Sequence, residues 1–240
     1  MNIKSVKFYS ENFLLKGSLS LPYEEAPCII ALHGLESSKD SRKWLMLESK
    51  LYTEGYALLR FNFKGCGEGL ERSEGRFEDT TLTSRIKDFK AALNFLKSCE
   101  VNTNKIGVIG SSFGGMIAIA AQEENIKALV TIATPYKIDF ILKDSENYYT
   151  LPSGRKLKRS FYEDLQKHDL LKSVNQSSPI LIIHGSLDKL VPVNHAYELF
   201  KAAKKPKKLE IIKDANHVFS NDNHLNKVIE LSLKWFKIYL

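Results

Sequence analysis

Ile106-Gly107-Val108-Ile109-Gly110-Ser111-Ser112-Phe113-Gly114-Gly115, followed by the apolar stretch 116–121, is the segment on which the fold turns. The aliphatic run reads as a short buried strand, and a stretch that is apolar all round reads as a helix in the middle of a structure. Between them, glycines stand two residues before and two residues after Ser112, the G-x-S-x-G spacing of a sharp strand-to-helix turn. Small residues at 110 and 114 let the backbone double back, which leaves the central side chain exposed. Free N–H groups at the start of the following helix favour a negative charge there. A chance glycine-rich turn would match the five-residue pattern, but it would need neither a strand before it nor a buried helix after it. Ser112, rather than Ser111, is therefore the candidate nucleophile.

Outward from this turn the chain repeats the same rhythm. Short β-branched or aliphatic runs occur at 28–32, 57–63, 106–109, 128–132, 180–183 and 209–212. Their near-continuous apolarity is what strands covered on both faces require, so they predict a mostly parallel sheet. The segments between them carry helical spacing: Leu82, Ile86, Phe89, Leu93 and Leu96 share one face, and Leu225, Val228, Ile229, Trp235 and Phe236 approximately share another. Strands alternating with helices predict a doubly wound α/β sheet. Residues 6–21 differ, with alternating stretches on either side of Ser10-Glu11-Asn12, which predicts an antiparallel hairpin at one edge.

The interval 135–178 is too long for an ordinary crossover, whose flanking loops usually run about 2–6 residues. It is expected to be an insertion within a single domain spanning 1–240. It contains Phe140, Tyr148, Tyr149, Phe161 and Tyr162, and Ser160-Phe161-Tyr162-Glu163 has the form of a capping box at a helix start. These aromatic residues suit either a lid that helps to form a substrate pocket or a loop that fills its own small core.

Composition excludes several classes. The chain carries 240 residues, 43% of them hydrophobic, enough for a sizeable core. Its net charge of +7 is spread along the chain, and the denser basic runs at 155–159 and 201–208 accompany no nucleic-acid-binding motif. With no apolar run long enough to span a bilayer and no signal-peptide centre in the first residues, a cytoplasmic protein without a membrane partner is expected. The 3 cysteines are widely spaced and lack a CxxC pair, so neither a disulfide framework nor a zinc site is expected.

A serine hydroxyl needs a base to take its proton, normally histidine. Of the 6 histidines, His217 lies just after the last expected strand, on the carboxyl edge of the sheet where Ser112 also stands. An acid must then fix the imidazole tautomer, and Asp188 follows the run 180–183. Asp139 is its positional rival. The order Ser112, Asp188, His217 is the order in which an α/β-hydrolase carries nucleophile, acid and base. Two backbone N–H groups are needed to hold an oxyanion, and position assigns them to Leu35 and Phe113. His33 and His184 are read as structural.

With these residues placed, the chain resembles the α/β-hydrolase superfamily over nearly its whole length. The subgroup likeness is to small cinnamoyl or feruloyl esterases and, more distantly, to monoacylglycerol lipases. It rests on His33-Gly34-Leu35, Arg60-Phe61-Asn62-Phe63-Lys64-Gly65-Cys66-Gly67, Gly110-Ser111-Ser112-Phe113-Gly114-Gly115, Gly185 with Asp188, Val191-Pro192, and His217. The resemblance implies that the insertion follows the sixth strand and lines the pocket for an aromatic acyl group. Cys66 stands where such proteins often have histidine, and Glu36-Ser37-Ser38 replaces a glycine-containing loop at the pocket mouth. The expectation is a serine carboxylesterase acting on a small-molecule ester without cofactor or metal. A thioesterase, a serine peptidase and a non-catalytic binding protein are the alternatives, and a homodimer is left open.

Overall fold

The computed structural model describes residues 1–138, 143–145 (backbone alone), 147–151, 153–177 and 179–240. In chain order its strands are β1 (Ile3–Ser10), β2 (Phe13–Ser20), β3 (Ala26–Leu32), β4 (Ala57–Phe61), β5 (Val101–Ser111), β6 (Ile126–Ile132), β7 (Lys143–Ser145), β8 (Tyr148–Thr150), β9 (Lys156–Lys158), β10 (Ile180–Gly185) and β11 (Lys207–Ile212). The helices are α1 (Arg42–Thr53), α2 (Leu82–Leu96), α3 (Phe113–Ala121), α4 (Ser160–Leu165), α5 (Leu170–Val174), α6 (Asn194–Ala202) and α7 (Asp222–Tyr239). Among the described residues, no helix is long and apolar enough to cross a membrane.

The main sheet has eight strands in the order β1-β2-β4-β3-β5-β6-β10-β11. β1 and β2 form the expected antiparallel hairpin, with Ser10 opposite Phe13 across a turn in which Glu11 has a φ of 54°. β2 is antiparallel to β4, and every pairing from β4 to β11 is parallel. This is the α/β-hydrolase fold.

The parallel strands read as apolar runs because each has two faces to bury. Along β3, Cys28, Ile30 and Leu32 join one core while Ile29 and Ala31 join the other. β10 divides likewise, with Ile180 and Ile182 on one side and Leu181 and Ile183 on the opposite side. The core containing Ile29 is closed by α1 and α7 through Trp44, Leu47, Val228 and Trp235. The other is closed by α2 and α3, whose Phe89, Met116 and Ile117 are buried. Because the parallel strands point the same way, the segments leaving β3, β5, β10 and β11 all emerge at one edge, which is where ligands bind in open α/β sheets.

The interval 135–178 holds the small antiparallel sheet β7-β8-β9 and the short helices α4 and α5. Phe161 is buried and its ring packs 5.6 Å from that of Phe113. Asp164 accepts hydrogen bonds from the backbone N–H and the hydroxyl of Thr83 at 2.8 and 2.7 Å, fastening the insertion to the first turn of α2. The expected capping box is not formed. Arg159, not Ser160, stands at the N-cap of α4 without a side-chain cap, and Glu163 pairs with the Arg159 guanidinium at 3.6 Å instead.

One buried ion pair ties α1 to the sheet. The Arg60 guanidinium on β4 donates to both carboxylate oxygens of Glu48 at 3.0 Å, and both side chains are nearly excluded from solvent. Removing one partner would strand the other charge, which typically costs about 3–5 kcal/mol. Glu48→Ala is therefore expected to lower the unfolding free energy by about 3 kcal/mol in urea denaturation, since Asp40 still pairs with Arg60.

Candidate active site

Ser112 occupies the turn between β5 and α3 with φ 54° and ψ −119°, a conformation that costs about 1–3 kcal/mol for a residue with a side chain. The fold supplies what holds it there. The Ser112 N–H donates to the Ile132 carbonyl on β6 at 2.8 Å, and the Ser112 carbonyl accepts from the Gly115 N–H at 3.0 Å. A methyl group on Gly110 would meet the Gly114 carbonyl oxygen at 2.5 Å, and one on Gly114 would overlap the carbonyl of Leu32 on β3. The two glycines of the sequence pattern are therefore steric requirements of this turn.

Asp188, on the loop after β10, is the best-connected side chain of the site. Its Oδ1 accepts from the N–H groups of Leu190 and Val191 at 3.0 and 2.8 Å. Its Oδ2 lies 2.7 Å from Nδ1 of His217, on the loop after β11, and 3.2 Å from Nε2 of His184. Burial alone would raise the pKa of this carboxyl, but hydrogen bonds from His184, His217 and Val191 hold it well below the usual carboxylate range. Because a carboxylate can only accept, Nδ1 of His217 carries a hydrogen, leaving Nε2 as the atom able to take a proton. His184 is buried, and its Nε2 is also 2.8 Å from the Val191 carbonyl, so this nitrogen must donate. His184, read from the sequence as structural, thus lies directly against Asp188.

His33 has both ring nitrogens committed to the backbone: Nδ1 lies 2.8 Å from the Gly34 carbonyl, and Nε2 accepts from the Phe63 N–H at 3.3 Å. Burial, with the charge of Arg85, lowers its pKa to about 3. It supports the turn leading to Leu35. Cys66 accepts a hydrogen bond from Arg85 at 3.2 Å.

Ser112 and His217 line one cavity of about 750 Å³ at the carboxyl edge of the sheet, together with Leu35 and Phe113. No direct hydrogen bond joins Ser112 to His217 among the described residues; such bonds often tighten only when substrate is bound. Neither Leu35 nor Phe113 gives its N–H to a loop or turn carbonyl among the described residues. A hydroxyl, an imidazole aligned by a carboxylate and two uncommitted amides around one cavity are the parts that acyl transfer requires.

Among the described residues, the aromatic side chains predicted for the pocket are not brought to this wall. Tyr148, Tyr149, Phe161 and Tyr162 do not line the cavity: Tyr149 and Tyr162 pack against each other at 4.4 Å, and Phe161 fills the contact with Phe113. Phe161 is part of the core that α2 and α3 close, and Tyr149 and Tyr162 pack against that core, so the insertion is anchored by its aromatic residues. Phe140 and Asp139 lie outside the described residues. The insertion reaches the cavity through Pro135, Ile138 and Leu151, and the aromatic wall comes from Trp44, Phe113 and Phe219. At the mouth, Glu36 accepts a hydrogen bond from Ser153 of the insertion. Lys43 also lines the cavity, although no sequence motif marks it.

Comparison with known proteins agrees with this architecture. Over 202 residues the chain is 28% identical to the uncharacterized protein YfhR of Escherichia coli O157:H7, covering 82% of this chain and 65% of that one. It is 28% identical over 189 residues to the mitochondrial palmitoyl-protein thioesterase ABHD10 of Homo sapiens, covering 70% and 59% respectively. The chain thus spans less than two thirds of the length of these curated relatives. Among solved structures, Est1E from Butyrivibrio proteoclasticus with bound ferulic acid superposes with a TM-score of 0.85 at 24% identity, covering 97% of this chain and 99% of that one. The esterase domain of a Rhodothermus marinus protein gives a TM-score of 0.81 at 27% identity, covering 100% and 99%. The model of the prolyl oligopeptidase family matches residues 44–240, and the chain belongs to that family of α/β-fold hydrolases.

Proposed function

We propose that this protein is a serine carboxylesterase that cleaves small-molecule esters through an acyl-enzyme on Ser112, with His217 as the base, Asp188 as its orienting acid and the N–H groups of Leu35 and Phe113 as the oxyanion donors. The observation that carries this reading is the 2.7 Å contact between His217 and Asp188 on the rim of the cavity that Ser112 lines. As Oγ of Ser112 bonds to the acyl carbon, Nε2 of His217 takes the hydroxyl proton. The bond to the alcohol oxygen then breaks, and His217 returns the proton to the departing alcohol. Water repeats the cycle: its proton goes to His217, its oxygen bonds to the acyl carbon, and the carboxylic acid leaves with Ser112 restored. Ser111 is the weaker nucleophile candidate, because its hydroxyl accepts a hydrogen bond from Lys43 at 2.6 Å. Residues 135–178 act as a cap on a single domain, in line with the contribution of Ile138 and Leu151 to the cavity wall.

The relation to a thioesterase favours a second reading in which sulfur, not oxygen, leaves the acyl group. One experiment separates them. A fluorophosphonate probe is expected to label Ser112, as mapped by peptide mass spectrometry, and the protein is expected to hydrolyse p-nitrophenyl butyrate and methyl ferulate faster than the matched thioester or anilide. Faster cleavage of the thioester would transfer the assignment to a thioesterase. An unlabelled Ser112 together with no turnover of any of these compounds would refute both.

A further inference from the structure

The cavity holds a cation for which the acyl-transfer chemistry has no use. Lys43 sits in the first turn of α1, and its ammonium donates to the Ser111 hydroxyl at 2.6 Å, one residue before the proposed nucleophile. The same ammonium lies 5.7 Å from the ring centre of Trp44 and 5.8 Å from that of Phe219, both buried. An ammonium has three hydrogens to donate. One is used on Ser111, and among the described residues no carboxylate lies within ion-pair distance of the others. Arg42, the neighbouring cation on the wall, is by contrast paired with Asp222.

This is a costly place for a positive charge. The first turn of a helix carries the positive end of its dipole, and α1 has no acidic residue there to offset it. Burial lowers the Lys43 pKa to about 8, against a raising effect from the charge of Asp188, so the ammonium persists at neutral pH. A lysine serving only as a surface solubiliser would extend into water and avoid both costs. Ring faces and a hydroxyl recover part of the lost hydration. An anion beside the ammonium would recover much more, because hydrogen bonds between charged partners are the strong ones. The helix start would favour the same anion. Much of the remaining wall is apolar, including Leu35, Phe113, Leu190 and Val218, so it offers the rest of a substrate hydrophobic contact, while Arg42 is paired with Asp222 and Glu36 accepts a hydrogen bond from Ser153.

We infer that Lys43 determines specificity by binding a free carboxylate on the substrate, so that the preferred esters are half-esters of dicarboxylic acids or acyl esters of hydroxy acids. This rests on the assignment of Ser112 as nucleophile and names the substrate class for that site. The carboxylate belongs a few bonds from the scissile carbonyl, since the ammonium is held by the residue adjacent to Ser112.

The test uses neutral isosteres. Monomethyl glutarate is compared with its carboxamide, monomethyl glutaramate, and 4-acetoxybutanoate with 4-acetoxybutanamide, in the wild type, Lys43→Met and Lys43→Arg. The measured quantity is the ratio of kcat/KM for acid over amide at pH 7, which a general loss of activity or folding leaves unmoved. At least one ratio is expected to exceed unity in the wild type, to fall about ten- to a hundredfold in Lys43→Met, and to recover in part in Lys43→Arg. The responding pair tells whether the carboxylate lies on the acyl or the alcohol half. Ratios below unity in the wild type, or equal in wild type and Lys43→Met, would overturn the inference while amide-bearing esters still turned over and Ser112 still took the fluorophosphonate label. Absence of both turnover and label would instead bring down the nucleophile assignment, and this inference with it.

Discussion

Ser112→Ala is expected to lower ester turnover by about 10⁵- to 10⁶-fold, the scale on which removal of an activated serine disables related chemistry. The size follows from what is lost. Without Oγ there is no acyl-enzyme, and water must attack directly in a cavity whose base is aligned for another atom. What remains is binding and the oxyanion donors, which sustain only slow hydrolysis. The fold should not suffer. Among the described residues the Ser112 hydroxyl makes no hydrogen bond, whereas the backbone contacts with Ile132 and Gly115 remain in alanine. The positive φ is equally strained in both residues. Thermal unfolding within a few degrees of the wild type, only the slow residual turnover and loss of fluorophosphonate labelling are therefore expected together. Wild-type turnover by the folded variant would remove Ser112 from the chemistry, and labelling that persisted on Ser111 would relocate it by one residue.

Much of this site could be read from the sequence because it depends on local steric rules. Glycines 110 and 114 recorded, in advance, that the chain doubles back there; the near contacts to Gly114 and Leu32 are the same statement in coordinates. Runs of apolar residues recorded strands buried on both faces. What such runs do not carry is lateral order, since nothing in the residues of β4 says that it lies between β2 and β3. Ends were also less legible than centres. β5 begins at Val101, ahead of the aliphatic run, because Val101 pairs with Ala26 on β3 although polar residues follow it.

The misreadings share one cause, which is that burial is decided by distant partners. The aromatic residues of the insertion have the composition of a binding wall, but Phe161 found Phe113 and Tyr149 found Tyr162, and the cavity wall was left to Trp44 and Phe219. Ser160 begins α4, yet Glu163 pairs with Arg159 in place of closing a capping box. Lys43 follows Ser41 and Arg42 at the start of α1, where no motif in the sequence marks it. Only the approach of Ser111 from β5 and Phe219 from the last loop encloses its ammonium. His184 could have been suspected from its position four residues before Asp188, but that spacing acquires meaning only once Gly185 is seen to need its bare backbone against Ala215.

Asp188→Asn is expected to cut kcat by about 10⁴-fold without removing the imidazole, through the tautomer it imposes. An amide offers one acceptor and one donor end. If the nitrogen replaced Oδ1 it would face the N–H groups of Leu190 and Val191, donor against donor. The favourable orientation therefore puts the oxygen there and the NH2 toward His217 and His184. His217 Nδ1 must then accept, its hydrogen moves to Nε2, and the nitrogen that should take the Ser112 proton is already protonated. The NH2 also opposes Nε2–H of His184, which is held to the Val191 carbonyl. Stability should respond with a definite sign. The Asp188 pKa in the folded protein is below its ordinary 3.8, so the carboxylate contributes stability that is fully present above that value and is lost as pH falls through the folded one. The difference in unfolding free energy between wild type and variant should therefore be largest near neutrality and shrink in acid. A variant with undiminished kcat, or a stability gap that widened as pH dropped, would show that Asp188 does not hold His217 as a charged partner.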